Sequence, residues 1–334
     1  MVKRVPRSKK QLLLSDVVDR YLRDVSVRGA PLTLVSYQHH LCVLVGLLAD
    51  LCKVTALDKV EVDHLRQCVQ HLLTEEVEVN PHRGRKPENG STFAISTVRG
   101  HIRVWKAFFG WCFQEELIDV NPVTRLTAPK PTKKVKPTFT EEHIHKMLAT
   151  CDTSTNLGFR DYVLLVLLLD TGMRLAEVAG LLVENVHENY VKVLGKGRKE
   201  REIGIYPETG KLLWKYINRY RDPLDEDEPV LFINRSRKPL TTSSVKDIVR
   251  RVRRESGLGD VKISPHVFRH TFAKMYLNNG GDLFKLSREM GHSDVQVTKL
   301  YLEDFGSSEA RKDHNSYSPI SRLNLKKRRG SKQK

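Results

Sequence analysis

The amino-acid sequence predicts a mainly α-helical protein of two domains, the second carrying one small β-sheet. Three observations predict it. Apolar residues recur at three- and four-residue spacing through most of the chain, the period of a helix with one face buried. One pair of alternating segments flanks a glycine-containing turn, which is hairpin patterning. Between Ala128 and the second half of the chain, PKPTKKVKP puts three prolines and four lysines where neither helix nor sheet interior can continue.

The elements follow in order. Residues 1–10 hold Lys3, Arg4, Arg7, Lys9 and Lys10 and no acid, and read equally as an arm drawn to phosphate or as a solvated terminus. Ser15 is the candidate N-cap of a first helix through Val18, Tyr21, Leu22 and Val25, and Leu34, Leu41, Leu44, Val45 and Leu48 mark a second. Val62, Leu65, Val69 and Leu72 mark a third. A fourth, from about Ile95 to Cys112, turns Val98, Ile102, Trp105, Phe108 and Phe109 inward and leaves Arg99, Arg103 and Lys106 largely on other faces. Residues 11–128 thus read as a helical domain, interrupted by a basic loop at Val79 to Ser91 that either touches phosphate or is solvated. The linker spans 129–139, and its Lys133 and Lys134 join Arg99, Arg103 and Lys106 as candidate polyanion contacts.

The second domain spans 140–305. Thr140 followed by Glu141 and Glu142 suits a helix N-terminus. Val163 to Leu169 reads as a buried helix closed near Gly172, with Leu175, Val178 and Leu181 in the next. Val191 and Val193 alternate before GKGRK, and Ile203 and Ile205 after it. Helices are expected at Ser243 to Arg254, His266 to Leu277 and Leu283 to Met290. The tail, 306–334, ends in the basic run KKRRGSKQK.

Composition narrows the function. Of 334 residues, 57 are Lys or Arg and 40 Asp or Glu, a formal charge of +17 that points to a polyanionic partner. The longest uninterrupted apolar run, Val163 to Leu169, falls far short of the ~20 residues of a membrane helix, and no charged-then-apolar leader opens the chain, so no membrane partner is expected. Five widely spaced cysteines without a C-x-x-C pair read as reduced core residues of a cytoplasmic protein. The thirteen histidines include no H-E-x-x-H, and no glycine-rich phosphate loop is present, so neither a metal nor a nucleotide cofactor is expected.

Five segments of the second half carry the chemistry: TGMRLAEVAGL (171–181), GKGRKER (195–201), HVFRHT (266–271), GHSD (291–294) and Tyr301. Their order and spacing resemble the tyrosine recombinase, or phage integrase, family of site-specific DNA recombinases over about residues 11–305. The resemblance implies a two-domain DNA clamp, a helical core-binding domain followed by a mixed α/β catalytic domain. It implies Arg174 and Arg269 as the catalytic arginines, Lys196 as the hairpin lysine, His266 as the histidine paired with Arg269, His292 as the G-H histidine and Tyr301 as the nucleophile. Double-stranded DNA with paired core sites is the implied partner, bound by a homotetramer with or without accessory DNA-bending proteins, in the cytoplasm on the nucleoid.

These residue types suit that reaction. A phenol attacks a phosphodiester, charge grows on the phosphoryl oxygens, and a deoxyribose 5′-hydroxyl must leave. Arg174 and Arg269 are planar forks able to hold nonbridging oxygens in place of a metal. Tyr301 must lose its proton, with His266 the candidate base; Lys196 would protonate the leaving oxygen and His292 hydrogen-bond the phosphate. Each residue has a plainer reading. Arg174 could pair with Glu177 on the same helical face, Lys199 could replace Lys196 as the acid, and His270 or His292 could serve packing or a turn. Tyr276 and Tyr317 compete with Tyr301. Met173 and Met290 stand where the family usually has leucine, changes that conserve volume. The expected activity is strand cutting and exchange through a 3′-phosphotyrosyl ester and a Holliday junction, as integrase or transposase of a mobile element. The alternatives are chromosome-dimer resolution, a type IB topoisomerase, or a DNA-binding protein that does not cut.

Overall fold

Helix α1 (Leu14–Arg28) begins one residue before Ser15, and its N-cap is Leu13, whose side chain caps nothing. Ser15 hydrogen-bonds Asp16 instead. A bridge between Leu13 and Ala56 replaces the polar cap: the Leu14 N–H, unpaired within its own helix, donates to the Thr55 carbonyl at 2.8 Å. The computed structural model describes residues 12–29, 31–74, 92–131, 137–195, 200–259 and 261–291. Contacts divide the chain into two units, Met1–Lys134 and Val135–Lys334.

The first unit continues with α2 (Pro31–Cys52), α3 (Val62–Thr74) and α4 (Ile95–Gln114). Helix α2 has 22 residues of which only Asp50 is charged, so by length and composition it could cross a membrane. Counting uninterrupted apolar residues overlooks it, because Gln38, two histidines and Gly46 break the run. In this fold it packs against α1, α3 and α4 and buries Leu41, Leu44 and Leu48 completely. Helix α4 fills the middle of this core with Val98, Ile102, Trp105, Phe108 and Phe109 at helical spacing.

The second unit holds α5 (Glu141–Leu148), α6 (Asn156–Thr171), α7 (Leu175–Ala179), β1 (Tyr190–Leu194), β2 (Glu200–Gly204), α8 (Pro207–Arg219), α9 (Thr242–Glu255), α10 (Pro265–Asn278) and α11 (Leu283–Glu289). Thr140 caps α5 by accepting the His143 N–H at 3.2 Å. Phe139, before it, is already in this unit's core and donates its N–H to Thr271 on α10. Helix α6 is the axis of the unit, buried along Val163, Leu164, Leu165, Leu167 and Leu168 and packed on α8 and α10. Helix α8, which the sequence reading did not delineate, starts with Pro207 at its first turn and buries Leu213 and Tyr216. Among the described residues the sheet has two antiparallel strands, with Val191 opposite Ile203 and Val193 opposite Arg201. The span between α7 and β1 holds a 3₁₀ turn at Val183–Asn185. Met173 and Met290 are both buried, as volume-conserving replacements for leucine must be.

Candidate active site

The site is built where α6 stops. Gly172 closes that helix in the left-handed region, at φ +57°, and a Cβ there would lie 2.4 Å from the Phe272 ring. The tight turn presents the Gly172 carbonyl to Arg269 and places Arg174 at the start of α7. Arg269, buried one turn after His266 on α10, donates from Nη1 to Gly172 O and from Nη2 to Met290 O, both at 2.6 Å. Arg174 donates from Nη2 to the next carbonyl, Gly291 O, at 2.7 Å. The two arginines thus converge on consecutive carbonyls at the end of α11. Those carbonyls lack intrahelical partners and carry the negative end of the helix, which suits guanidinium donors.

Glu177 organises the other side of Arg174. Its carboxylate accepts the Arg174 N–H at 2.8 Å and Arg174 Nη1 at 3.0 Å. It also accepts a bidentate pair from Arg201 on β2, at 2.8 and 2.9 Å. Burial works against its charge, yet the bonds from Arg201 and Arg174 outweigh burial and hold the carboxyl below the usual glutamate range. The pairing of Arg174 with Glu177 expected from helical spacing is present, and it leaves the Arg174 side chain 39% exposed with its Nε unengaged among the described residues. Arg201 escaped sequence reasoning. It sits in the GKGRKER segment but faces inward from the strand, and alternation after the turn was the only signal for it.

His266 is exposed at the second position of α10, just after Pro265. Tyr276 lies two turns beyond Arg269 on the same helix, packed against Phe272, and burial raises its pKa, which opposes phenolate formation. Lys196, Lys199, His292, Tyr301 and Tyr317 lie outside the described residues; Lys196 follows the end of β1 by two positions, and His292 follows Gly291. No group of three His, Cys, Asp or Glu side chains able to hold a metal is present among the described residues.

In the first unit, Arg99, Arg103 and Lys106 line one groove of about 980 Å³ together with Thr92, Ser96 and Pro131. Arg103 and Lys106 are exposed, whereas Arg99 spends Nη1 on the Pro129 carbonyl at 2.7 Å. Lys133 and Lys134 lie outside the described residues.

A mainly helical fold that gathers arginines around the end of one helix is that of the tyrosine recombinases, enzymes of DNA recombination. The phage integrase family model matches residues 137–306, about half of the chain. The chain belongs to the phage integrase family. It is 31% identical over 211 residues to the tyrosine recombinase XerC of Chlamydia caviae, covering 62% of this chain and 67% of that protein. It is 27% identical over 312 residues to the tyrosine recombinase XerD of Staphylococcus aureus, covering 92% of this chain and 99% of the relative. The fold is similar to that of a lambda integrase tetramer bound to a Holliday junction, with a TM-score of 0.67 at 17% identity over 88% of this chain and 78% of the other.

Proposed function

We propose that this protein cuts duplex DNA at a specific site with Tyr301 and exchanges strands between two such sites. The observation that carries the reading is the convergence of Arg174 and Arg269 on the carbonyls of residues 290 and 291, next in sequence to His292. In this reading the Tyr301 phenol attacks the phosphorus and its proton passes to His266. Arg174 and Arg269 hold the nonbridging oxygens with His292 beside them, and the P–O5′ bond breaks as Lys196 protonates the departing 5′-hydroxyl. The 3′-phosphotyrosyl ester keeps the bond energy for religation by another 5′-hydroxyl, so neither ATP nor a metal ion enters the balance. Residues 140–305 do the chemistry. Residues 11–128 grip the other side of the duplex, with Arg99, Arg103, Lys106, Lys133 and Lys134 on its phosphates and residues 129–139 as linker. Four copies act on two sites, on the nucleoid.

Integration or transposition of a mobile element is the role the reading takes. Chromosome-dimer resolution is the second reading, supported by the end-to-end alignment with XerD relatives. The chemical claim is tested by selecting binding sites from random duplexes and then trapping covalent protein on a nicked version of the selected DNA. Wild type should form a protease-sensitive adduct in excess EDTA, and Tyr301→Phe should form none while binding with nearly unchanged affinity. An undiminished adduct in that variant would transfer the nucleophile elsewhere, and dependence on added magnesium would replace the arginine clamp by metal chemistry.

A further inference from the structure

Three arginines, not two, grip the end of α11. Arg201 donates from Nε to Glu289 O at 2.9 Å, so Arg201, Arg269 and Arg174 occupy the carbonyls of residues 289, 290 and 291 in succession. Gly291 is shaped around Arg201: it adopts φ +62°, and a Cβ there would come within 2.9 Å of the Arg201 Cζ. Arg201 itself cannot serve the phosphate. All three of its nitrogens are engaged, and its side chain is only 14% exposed.

Resting on the proposed function, we propose that Arg201 is a positioning residue that balances Glu177 so that Arg174 keeps its charge and spare donors for the phosphate. The charge count around Glu177 makes the case. One buried carboxylate faces two guanidiniums, which leaves one net positive charge, and it resides on the exposed partner, Arg174. Without Arg201 the carboxylate and Arg174 would close into a neutral pair, and Arg174 would turn both forks toward Glu177 in place of DNA. Arg201 also ties the start of β2, which follows Lys196 in sequence, to the end of the helix that precedes His292 in sequence. Lysine cannot replace it, because a single ammonium cannot supply a bidentate pair and a third, coplanar bond.

The test is single-turnover cleavage of the selected, nicked duplex by the full chain. Arg201→Gln should slow cleavage about 10²-fold, with DNA affinity unchanged within about threefold because Arg201 makes no phosphate contact. Removing the unbalanced carboxylate as well, in Glu177→Gln/Arg201→Gln, should recover about tenfold or more of that loss, which a purely structural role for Arg201 would not allow. The pH profile gives a second readout. Glu177 deprived of Arg201 should bind a proton more readily, so Arg201→Gln should regain rate relative to wild type as pH falls, and the double variant should not. Among the described residues the charged groups paired with Glu177 are Arg174, the N-cap of α7, and Arg201 on β2, and Arg269 on α10 meets the same helix end through the Met290 carbonyl. Wild-type cleavage by Arg201→Gln, or a double variant no faster than the single, overturns the inference while the wild-type adduct leaves the family chemistry standing. If the single variant melts below the assay temperature, the double variant decides: cleavage within about tenfold of wild type supports charge balance, and a rate as low as that of Arg174→Lys overturns it.

Discussion

Acid should unfold the first unit through one histidine. His101 on α4 is fully buried, and its Nδ1 lies 3.0 Å from Nδ1 of His40 on α2. One ring must donate and the other accept at that distance, so the two rings cannot both be protonated. Burial, with His40 and His39 adding to it, lowers the His101 pKa from 6.5 to about 4, and burial, His39 and Arg103 lower that of His40. A histidine with a depressed pKa in the folded state contributes stability that is complete above 6.5 and is lost as pH falls toward 4. The full difference is worth about 3 kcal/mol, of which about 2 kcal/mol disappears between pH 7.5 and 5. That is a large fraction of the stability of a small domain. Urea unfolding of the full chain carrying Trp214→Phe would isolate the unit, since the two remaining tryptophans, Trp105 and Trp111, both lie on α4. Between pH 7.5 and 5 this protein should lose about 2 kcal/mol more than the same protein with His101→Phe, in which Phe93 and Trp105 already line an aromatic site. Equal losses in the two proteins would refute the argument.

Other substitutions follow from the same geometry. Arg174→Lys and Arg269→Lys should each reduce single-turnover cleavage by about 10² or more at unchanged net charge, because an ammonium cannot hold a carbonyl or carboxylate and a phosphate with one planar fork; wild-type rates in both would end the clamp model. Arg103→Ala and Lys106→Ala should each lower the salt slope of duplex binding by about 0.9, and Arg99→Ala by less, since one of its nitrogens is held by Pro129. Unchanged slopes would move the phosphate contacts elsewhere. Gly172→Ala should destabilise the second unit by at least about 2 kcal/mol, from its left-handed φ together with the Phe272 ring, and a differential denaturation curve unshifted by the change would contradict that placement.

Periodicity revealed most helices because their faces are one-sided, as in α4, whereas α6 was read from an unbroken apolar run because it is buried on all faces. Periodicity failed where backbone partners replaced a local signal. Ser15 offered a cap, but the Thr55 carbonyl, distant in sequence, set the start of α1. Helix α8 was not delineated although Leu213, Tyr216 and Ile217 recur at helical spacing behind Pro207. The candidate site was expected from the resemblance of its ordered motifs to the tyrosine recombinase family, and of its residues Arg174, His266 and Arg269 are among those the structure describes. Arg201 was not legible. A charged residue on a hairpin strand is normally solvated, and only the folded chain brings it to a carboxylate twenty-four positions earlier and to a helix end eighty-eight positions later.

Helix α2 poses a problem of timing during synthesis. Its covering partner α4 ends about sixty residues downstream of Cys52. At roughly 5–20 residues per second, translation leaves α2 waiting roughly 3–12 s for the helix that packs on its face bearing Leu41, Leu44 and Leu48. Throughout that interval a ribosome displays a 22-residue segment with a single charge, indistinguishable by length and composition from a membrane anchor. Until α4 is made, that apolar segment is open to any factor that binds apolar nascent chain. The gain in packing obtained from a helix without cations is set against an early vulnerability to mis-sorting.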